Sequence, residues 1–510
     1  MPMPEAPPST ASTPKRPAPK GSQVPGTASR RRTSSEGGTP AEGRATRRLR
    51  APRLESLFVA TFVLYGFRIG IRPIGDNSMF THLRTGIDMV RGLGIPRTDP
   101  YSFTASGRDW VVQSWLPEWT YGWAYRLGGL RLVVLEQAVL VCLLTWLVVR
   151  MVRAGSPLRT AFGGLIVVGL GSPFWSPRPL LFGAICMALT ITIVESRRSQ
   201  WLLIPVVWLW VSSHGSFPLG LAWLAARAVG EAFDWRAWPR DAMRYAAGFA
   251  AGLVVAIVNP LGAKLLAFPF TLGDKRDVFE AIVEWMSPNF QNRLPSLIFL
   301  VLAMLLLVRA RLSWRDVVPA VAFVAAGLLA LRNLPIAAVV LAPVLGRVLK
   351  RPDSLPPLAP DPANRQRVNR VFAVAIAAAF VVFGLSINTN DPLEVSDYPV
   401  AATTFLDESG LLDAPHRVAH LDFVGNYFEL RFGRQVKVFI DDRYDMYPVD
   451  VSGDYRRLLT GSPKWQAILD VRQIDVVLWD RDLPLTSLLK SSGQWLEIFS
   501  EGDWVVLRRL

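Results

Sequence analysis

Charge is scarce in this chain, and cysteine more so. Only 19% of its 510 residues are Asp, Glu, Lys or Arg, against 51% hydrophobic, and the mean hydropathy is +0.27. A soluble protein of this length needs more charge to wet its surface, so that class is set aside. The two cysteines, Cys142 and Cys186, both fall inside apolar runs, which excludes a disulfide framework or a cysteine zinc cluster. Large apolar side chains are nearly missing from residues 1–53, which are rich in Pro, Ser, Thr, Gly, Lys and Arg. Such a segment buries too little to offset its ordering entropy and is predicted to be a disordered basic tail. It is too long and basic for a simple signal peptide, and no small-residue cleavage site follows the first apolar run. Leu54 to about Ile74 is therefore read as a retained anchor.

What the chain has in abundance is apolar runs with aromatic ends. There are 18 Trp and 26 Phe, many near the ends of those runs, as interfacial belts require. After the anchor, runs recur near 133–151, 160–175, 179–195, 200–213, 216–232, 243–259, 295–309, 317–331, 335–349 and 370–388. They predict a polytopic α-helical membrane protein of about eleven spanning helices, although several runs fall short of the roughly 20 residues of an upright span. The net charge of +15 does not point to nucleic acid, because its excess sits in the tail and in short loops between runs. With the tail on the cytoplasmic side, held there by Lys15-Arg16, Arg30 to Arg32 and Arg44 to Arg53, five loops should also be cytoplasmic. These hold Arg150/Arg153/Arg159, Arg197/Arg198, Arg236/Arg240/Arg244, Arg309/Arg311/Arg315 and Arg347 to Arg370, and each carries at least two basic residues. The expected organisation is thus a tail, 1–53, a multi-span region, 54–388, with a long first outer loop at 75–131, and an extracytoplasmic domain, 389–510.

Two outer segments carry helical apolar spacing. Met79, Phe80, Leu83, Ile87, Met89, Val90 and Leu93 predict a surface amphipathic helix, and Val278, Phe279, Ile282, Val283 and Met286 a second. In the C-terminal part, Val418–Leu421, Val436–Ile440, Asp475–Trp479 and Trp504–Leu507 read as short strands. Helices are expected between them near 398–410, 451–471 and 484–492, giving a small α/β domain. Asp441, Asp442 and Asp445 around Arg443 read as a strand end and turn rather than a metal site. His416 and His420 lack acidic or cysteine companions in sequence.

Polar residues collect on the predicted outer side: Asp76, Asp99, Arg178, His214, Asn259, Glu284, Arg332 and Asn333, mostly near the outer ends of apolar runs. Ionisable groups at such depth line water, pair or act. Singly, Arg178 or Arg332 reads equally well as a headgroup snorkel, and His214 as a helix-packing hydrogen-bonder. Together, carboxylates, guanidinium groups and an imidazole facing one cavity suit binding of a lipid phosphate and supply of a base.

Over residues 54–510 the text resembles a broad bacterial group within the GT-C superfamily, the glycosyltransferases that use lipid-phosphate sugars. The resemblance is carried by Asp76 to Gly86 with His82-Leu83, Pro96 to Thr104 with Asp99-Pro100, and Trp110 and Trp115 to Glu118. Further matches are Arg178-Pro179, His214-Gly215, Asn259-Pro260, Glu284-Trp285, Arg332-Asn333, Gly425 to Tyr427 and Phe439 to Tyr447. The resemblance implies a polyprenyl-phosphate sugar donor used at the outer face of the cell membrane, and a glycan, lipid or protein acceptor of the cell envelope. By the same resemblance Asp76 is the catalytic position, as general base or as a metal holder, with a divalent metal left open. Arg178 and Arg332 would neutralise the donor phosphate, and His82, Asp99, His214, Glu284 and Asn333 would bind substrate. Ser78, Phe80-Thr81 and Gln113-Ser114 depart from the group's acidic, paired-Trp and His-Glu positions. They keep open a non-catalytic membrane protein that binds a glycan, a lipid carrier or an assembly partner. A transporter is less favoured, since the ionisable residues gather at one face rather than at the midplane.

Overall fold

The computed structural model describes residues 51–271, 283–291, 294–308, 312–352 and 363–510. The predicted tail therefore lies outside the described residues except for its last three. The chain divides into Met1–Arg50 and Ala51–Leu510, and every described residue belongs to the second unit.

Each of the eleven apolar runs carries a helix. They are α1 (Leu54–Gly70), α3 (Trp115–Met151), α4 (Pro157–Gly171), α5 (Leu180–Glu195), α6 (Leu203–Ser213), α7 (Pro218–Trp235), α8 (Arg240–Val255), α10 (Leu294–Val308), α11 (Trp314–Leu329), α12 (Leu334–Val348) and α13 (Ala363–Thr389). Two more, α2 (Asn77–Asp88) and α9 (Lys264–Thr271), lie between them. Among the described residues, three segments are long and apolar enough to cross a membrane: Trp115–Met151, Leu331–Val348 and Arg365–Thr389. The expected count of about eleven spans is not reached by that measure. Proline and glycine end many of the runs early: Pro157 and Pro218 open α4 and α7, and Gly171 closes α4. Arg365–Thr389 is apolar yet has none of its window buried, which suits a lipid solvent and not water.

Helix α3 runs for 37 residues but breaks at Gly128 and Gly129. Gly129 has φ +63°, a left-handed conformation that a side chain disfavours, so the helix changes direction there. The basic loops gather at one end of the bundle. Arg159 donates to the carbonyls of Leu349 and Lys350, Asp234 accepts from the Trp314 and Arg315 amides, and Arg244 donates to Gln200.

The first expected surface helix exists as α2, continued by a π-type turn at Met89–Leu93. It is not simply laid on a surface. Met79, Phe80 and Leu83 are fully buried, and α2 packs between α3 and the C-terminal helix α15 (Asp422–Phe432). The second expected surface helix lies outside the described residues apart from a short turn at Val283–Trp285.

The C-terminal part adds α14 (Val400–Glu408), α16 (Val449–Leu459), α17 (Trp465–Val471) and α18 (Pro484–Ser491) to α15. Its four-stranded sheet has the order β1-β2-β4-β3, from β1 (Val418–Ala419), β2 (Val476–Asp480), β3 (Trp495–Glu501) and β4 (Trp504–Arg509). Strands β1 and β2 are parallel, and β4 runs antiparallel to both β2 and β3. The predicted strand Val436–Ile440 is not in this sheet. Val438 instead bridges to Ser102 of the first outer loop, with Phe103 N donating to Val438 O at 3.1 Å and Val438 N to Tyr101 O at 3.0 Å. That run is apolar because it is buried against the loop, and the loop offers too little extended backbone to form a ladder with it.

Candidate functional site

At the end of the bundle away from the basic loops, a cleft of about 790 Å³ opens between helix ends and the C-terminal part. His82, Arg178, His214, Glu284, Arg332 and Asn333 all line it. Asp76 stands at its edge. As the residue capping α2, its Oδ1 accepts from Ser78 N at 3.1 Å, and its Oδ2 accepts from Arg178 Nε at 2.5 Å. Arg178 spans two carboxylates, donating through Nη1 to Glu284 Oε1 at 2.6 Å. Burial disfavours its charge, but Asp76 and then Glu284 outweigh that, and the guanidinium pKa is raised.

Arg332 stacks over Trp285, with Cζ 4.2 Å from the ring centre. Among the described residues it forms no ion pair with a carboxylate, so its charge is open to the cleft. Asn333 uses its amide to donate to Ala326 O at 2.9 Å, closing the end of α11. His214 ends α6, and its Nδ1 accepts from Ser216 N at 3.1 Å. With Nδ1 accepting, the hydrogen of the neutral ring sits on Nε2, which is then a donor. His82 Nδ1 lies 2.7 Å from Oε1 of the buried Glu118.

Asp99 is the exception among the expected substrate-binding residues. It is buried away from the cleft, accepting from Tyr101 N, Ser102 N and Ser102 Oγ, and it pairs with Arg443 Nη1 at 2.9 Å. An aspartate followed by proline and a turn satisfies backbone amides first, and here its second task is to anchor a buried guanidinium. Arg443 is also held by Glu429 at 3.0 Å and Asp441 at 2.6 Å, and it stacks on Trp110 at 4.5 Å. Burial raises the Glu429 carboxyl well above its usual range, with Asp441 adding to it; burial acts on Asp441 too, but Arg443 outweighs it and that pKa is lowered. This cluster welds the first outer loop to the C-terminal part.

Asp442, read from the sequence only as part of a strand end and turn, also belongs to the cleft. It accepts from Ser78 Oγ, and accepts from Asn426 Nδ2 at 2.5 Å. Ser78 stands at a position where an acid is common in the resembling group, and it meets an acid delivered from 364 residues away. Burial raises the Asp442 carboxyl, opposed by the Ser78 hydrogen bond. The turn expected for this segment is present, since Arg443 N donates to Asp441 Oδ1 at 2.8 Å. His416, expected to lack an acidic companion, pairs with Asp475.

Among the described residues no three of His, Cys, Asp or Glu form a ligand set for a metal. Both oxygens of Asp76 face donors, Ser78 N and Arg178 Nε, and among the described residues no second acid or imidazole joins it in a ligand set.

No protein-family model matches the chain, and no curated protein matches it. Similar solved structures include an archaeal oligosaccharyltransferase, AglB from Archaeoglobus fulgidus in complex with an inhibitory peptide and a dolichol-phosphate. The TM-score is 0.48 at 10% identity, covering 84% of this chain and 70% of that one. Another is the arabinofuranosyltransferase AftD from Mycobacteria, with a TM-score of 0.46 at 14% identity, covering 91% of this chain and 40% of that one. Both scores lie below one half, so the functional reading is carried by the residues of the cleft.

Proposed function

We propose that this chain is a GT-C-type membrane glycosyltransferase that takes a sugar from a polyprenyl-phosphate donor at the outer face of the cell membrane. The acceptor is a glycan, lipid or protein of the cell envelope. The N-terminal tail is cytoplasmic and the region 389–510 extracytoplasmic, as the one-ended clustering of basic loops supports.

The observation that carries the reading is convergence. Residues spread from 76 to 332 meet at one cleft: a carboxylate at its edge, two guanidinium groups and two imidazoles. In this reading the donor phosphate enters beside Arg332 and competes for Arg178, turning that guanidinium away from Asp76. Asp76, so released, takes the proton of the acceptor hydroxyl. The hydroxyl oxygen bonds to the anomeric carbon, and the carbon–oxygen bond to the phosphate breaks. Polyprenyl phosphate leaves with its charge met by Arg178 and Arg332, while His214 Nε2–H donates to phosphate or sugar.

One observation favours a second reading, a non-catalytic binder of a glycan or lipid carrier: both Asp76 oxygens are engaged. Transfer from a polyprenyl-phosphate sugar by the reconstituted chain, lost in Asp76→Asn with expression and folding intact, separates the two. Full transfer by that variant removes Asp76 as the base, and envelope glycans unchanged on gene deletion favour the binder.

A further inference from the structure

The opposite face of α2 borders a different cavity, about 540 Å³, that the transfer chemistry does not use. Ser78, Thr81 and His82 line the cleft, whereas Arg84, Ile87 and Arg91 line this second cavity. Arg431 and Arg434, from α15 and the turn after it, complete a set of four guanidinium groups. Their compensation is incomplete. Asp88, fully buried, is shared between Arg84 Nη2 at 2.6 Å and Arg434 Nε at 2.8 Å. Arg431 reaches Asp407 only at 3.8 Å, and Arg91 makes no ion pair among the described residues. Arg84 Nε is buried without a hydrogen-bond partner among the described residues, which leaves a strong donor unmatched.

Beside the arginines the wall is mixed: Leu93, Leu130 and Leu393 give it an apolar side, Tyr125, Tyr427 and Gln435 a polar one, and Leu93 is 53% exposed. Leu130 follows the Gly128–Gly129 break, where α3 changes direction on entering its long apolar stretch. Guanidinium forks match phosphate oxygens two at a time. A free phosphate gains nothing from an adjoining leucine wall, whereas a phospholipid uses both halves.

We propose that this cavity binds the phosphate diester headgroup of an anionic lipid, with its chain lying along Leu93, Leu130 and Leu393. The bound lipid bridges α2 to α15 and so steadies the helix that carries Ser78 and His82 into the cleft. The proposal is independent of whether the cleft transfers sugar.

The test is native mass spectrometry of the full chain in detergent, titrated with phosphatidylglycerol or phosphatidylcholine. Wild type retains phosphatidylglycerol in preference. Arg91→Gln with Arg431→Gln weakens that retention roughly thirtyfold, from the contribution of two headgroup-facing arginines. The control pair Arg72→Gln with Arg108→Gln removes the same charge from exposed sites outside both cavities and leaves retention unchanged. Leu93→Ser, which spares every arginine and adds no charge, also weakens retention. Equal weakening by the control pair, or no preference between the lipids, overturns the proposal. Displacement by millimolar inorganic phosphate, with retention that Leu93→Ser leaves unaltered, assigns the cavity to a free anion and overturns it too.

Discussion

The two ends of the helix bundle use the same residue types to opposite ends. Toward the basic loops, Arg227 pairs with Glu195 at 2.6 Å and Glu231 at 3.1 Å, and Arg347 pairs with Glu195 at 2.8 Å and Asp316 at 2.7 Å. This lattice ties α5, α7, α11 and α12 together, and none of its residues lines the cleft or the second cavity. At the other end, Arg178 joins Asp76 and Glu284, but the assembly borders about 790 Å³ of open space and leaves Arg332 with no carboxylate partner among the described residues. What separates a structural charge from a functional one here is access to a cavity. An arginine between two acids reads identically in sequence at either end.

Breaking the comparison at the cleft should give the largest effect. Asp76→Asn keeps the cap on α2, because an amide oxygen still accepts from Ser78 N, but it cannot take a proton. Sugar transfer should fall about 10²- to 10⁴-fold, the range for a lost general base, with the melting temperature little changed. A large loss of thermal stability instead would place Asp76 with the structural lattice.

The reciprocal change is Arg227→Met, which leaves Glu231, 2% exposed, without its cation. Breaking one partner out of a buried pair costs about 3–5 kcal/mol. Thermal unfolding in detergent should show that loss, while transfer per folded molecule stays at the wild-type level. Unaltered stability would mean that the lattice is a bystander.

How far the sequence reveals this arrangement depends on the range of the interaction. The eleven apolar runs are legible because hydropathy is a local property, and each holds a helix. The gathering of His82, Arg178, His214, Glu284, Arg332 and Asn333 is legible once loop charge has set which helix ends share a side. Asp99 misleads because its motif is equally that of an aspartate turn, and nothing nearby announces Arg443, more than three hundred positions on. Asp442 and Glu118 escape notice as site residues for the same reason: Ser78 and His82, which bind them, are distant in the chain. Strand β3, Trp495–Glu501, lies at the sheet edge with most of its residues partly or fully exposed, so its sequence lacks the apolar signature that marks β2 and β4. Helix α15 contains Gly425 and buries both Asn426 and Glu429, so its polar residues conceal a buried face.

Asn426 sharpens the comparison from the side of the C-terminal part. Its Nδ2 donates to Asp442 Oδ1 and to Thr81 Oγ1 at 2.7 Å, joining α15 to α2 beside the cleft. Asn426→Ala leaves a buried acceptor short of a donor, which costs about 1–3 kcal/mol. The loss should shrink in an Asp442→Ala background, where only the hydrogen bond to Thr81 Oγ1 is left to lose. Full additivity of the two changes would show that Asn426 acts elsewhere.

The smallest effect concerns a charge that the fold keeps absent. His420 is fully buried; its Nε2 accepts from Phe439 N at 3.0 Å and its Nδ1 faces Leu421 O at 2.9 Å, so the neutral ring satisfies both. Burial pushes its pKa from 6.5 down to about 4, against the pull of the Leu421 hydrogen bond. The folded pKa is below the unfolded one, so the unfolded chain takes up the proton first as pH falls. Stability from this residue is therefore intact above 6.5 and is lost progressively between 6.5 and 4. Between pH 6.5 and roughly 5.5 the loss should be about 1 kcal/mol. His420→Gln, which offers an acceptor and a donor without a titratable ring, should flatten that part of the profile in thermal unfolding. His416, partly exposed and paired with Asp475, is the internal comparison: if His416→Gln flattens the same window and His420→Gln does not, burial is not what sets the acid limit of the domain.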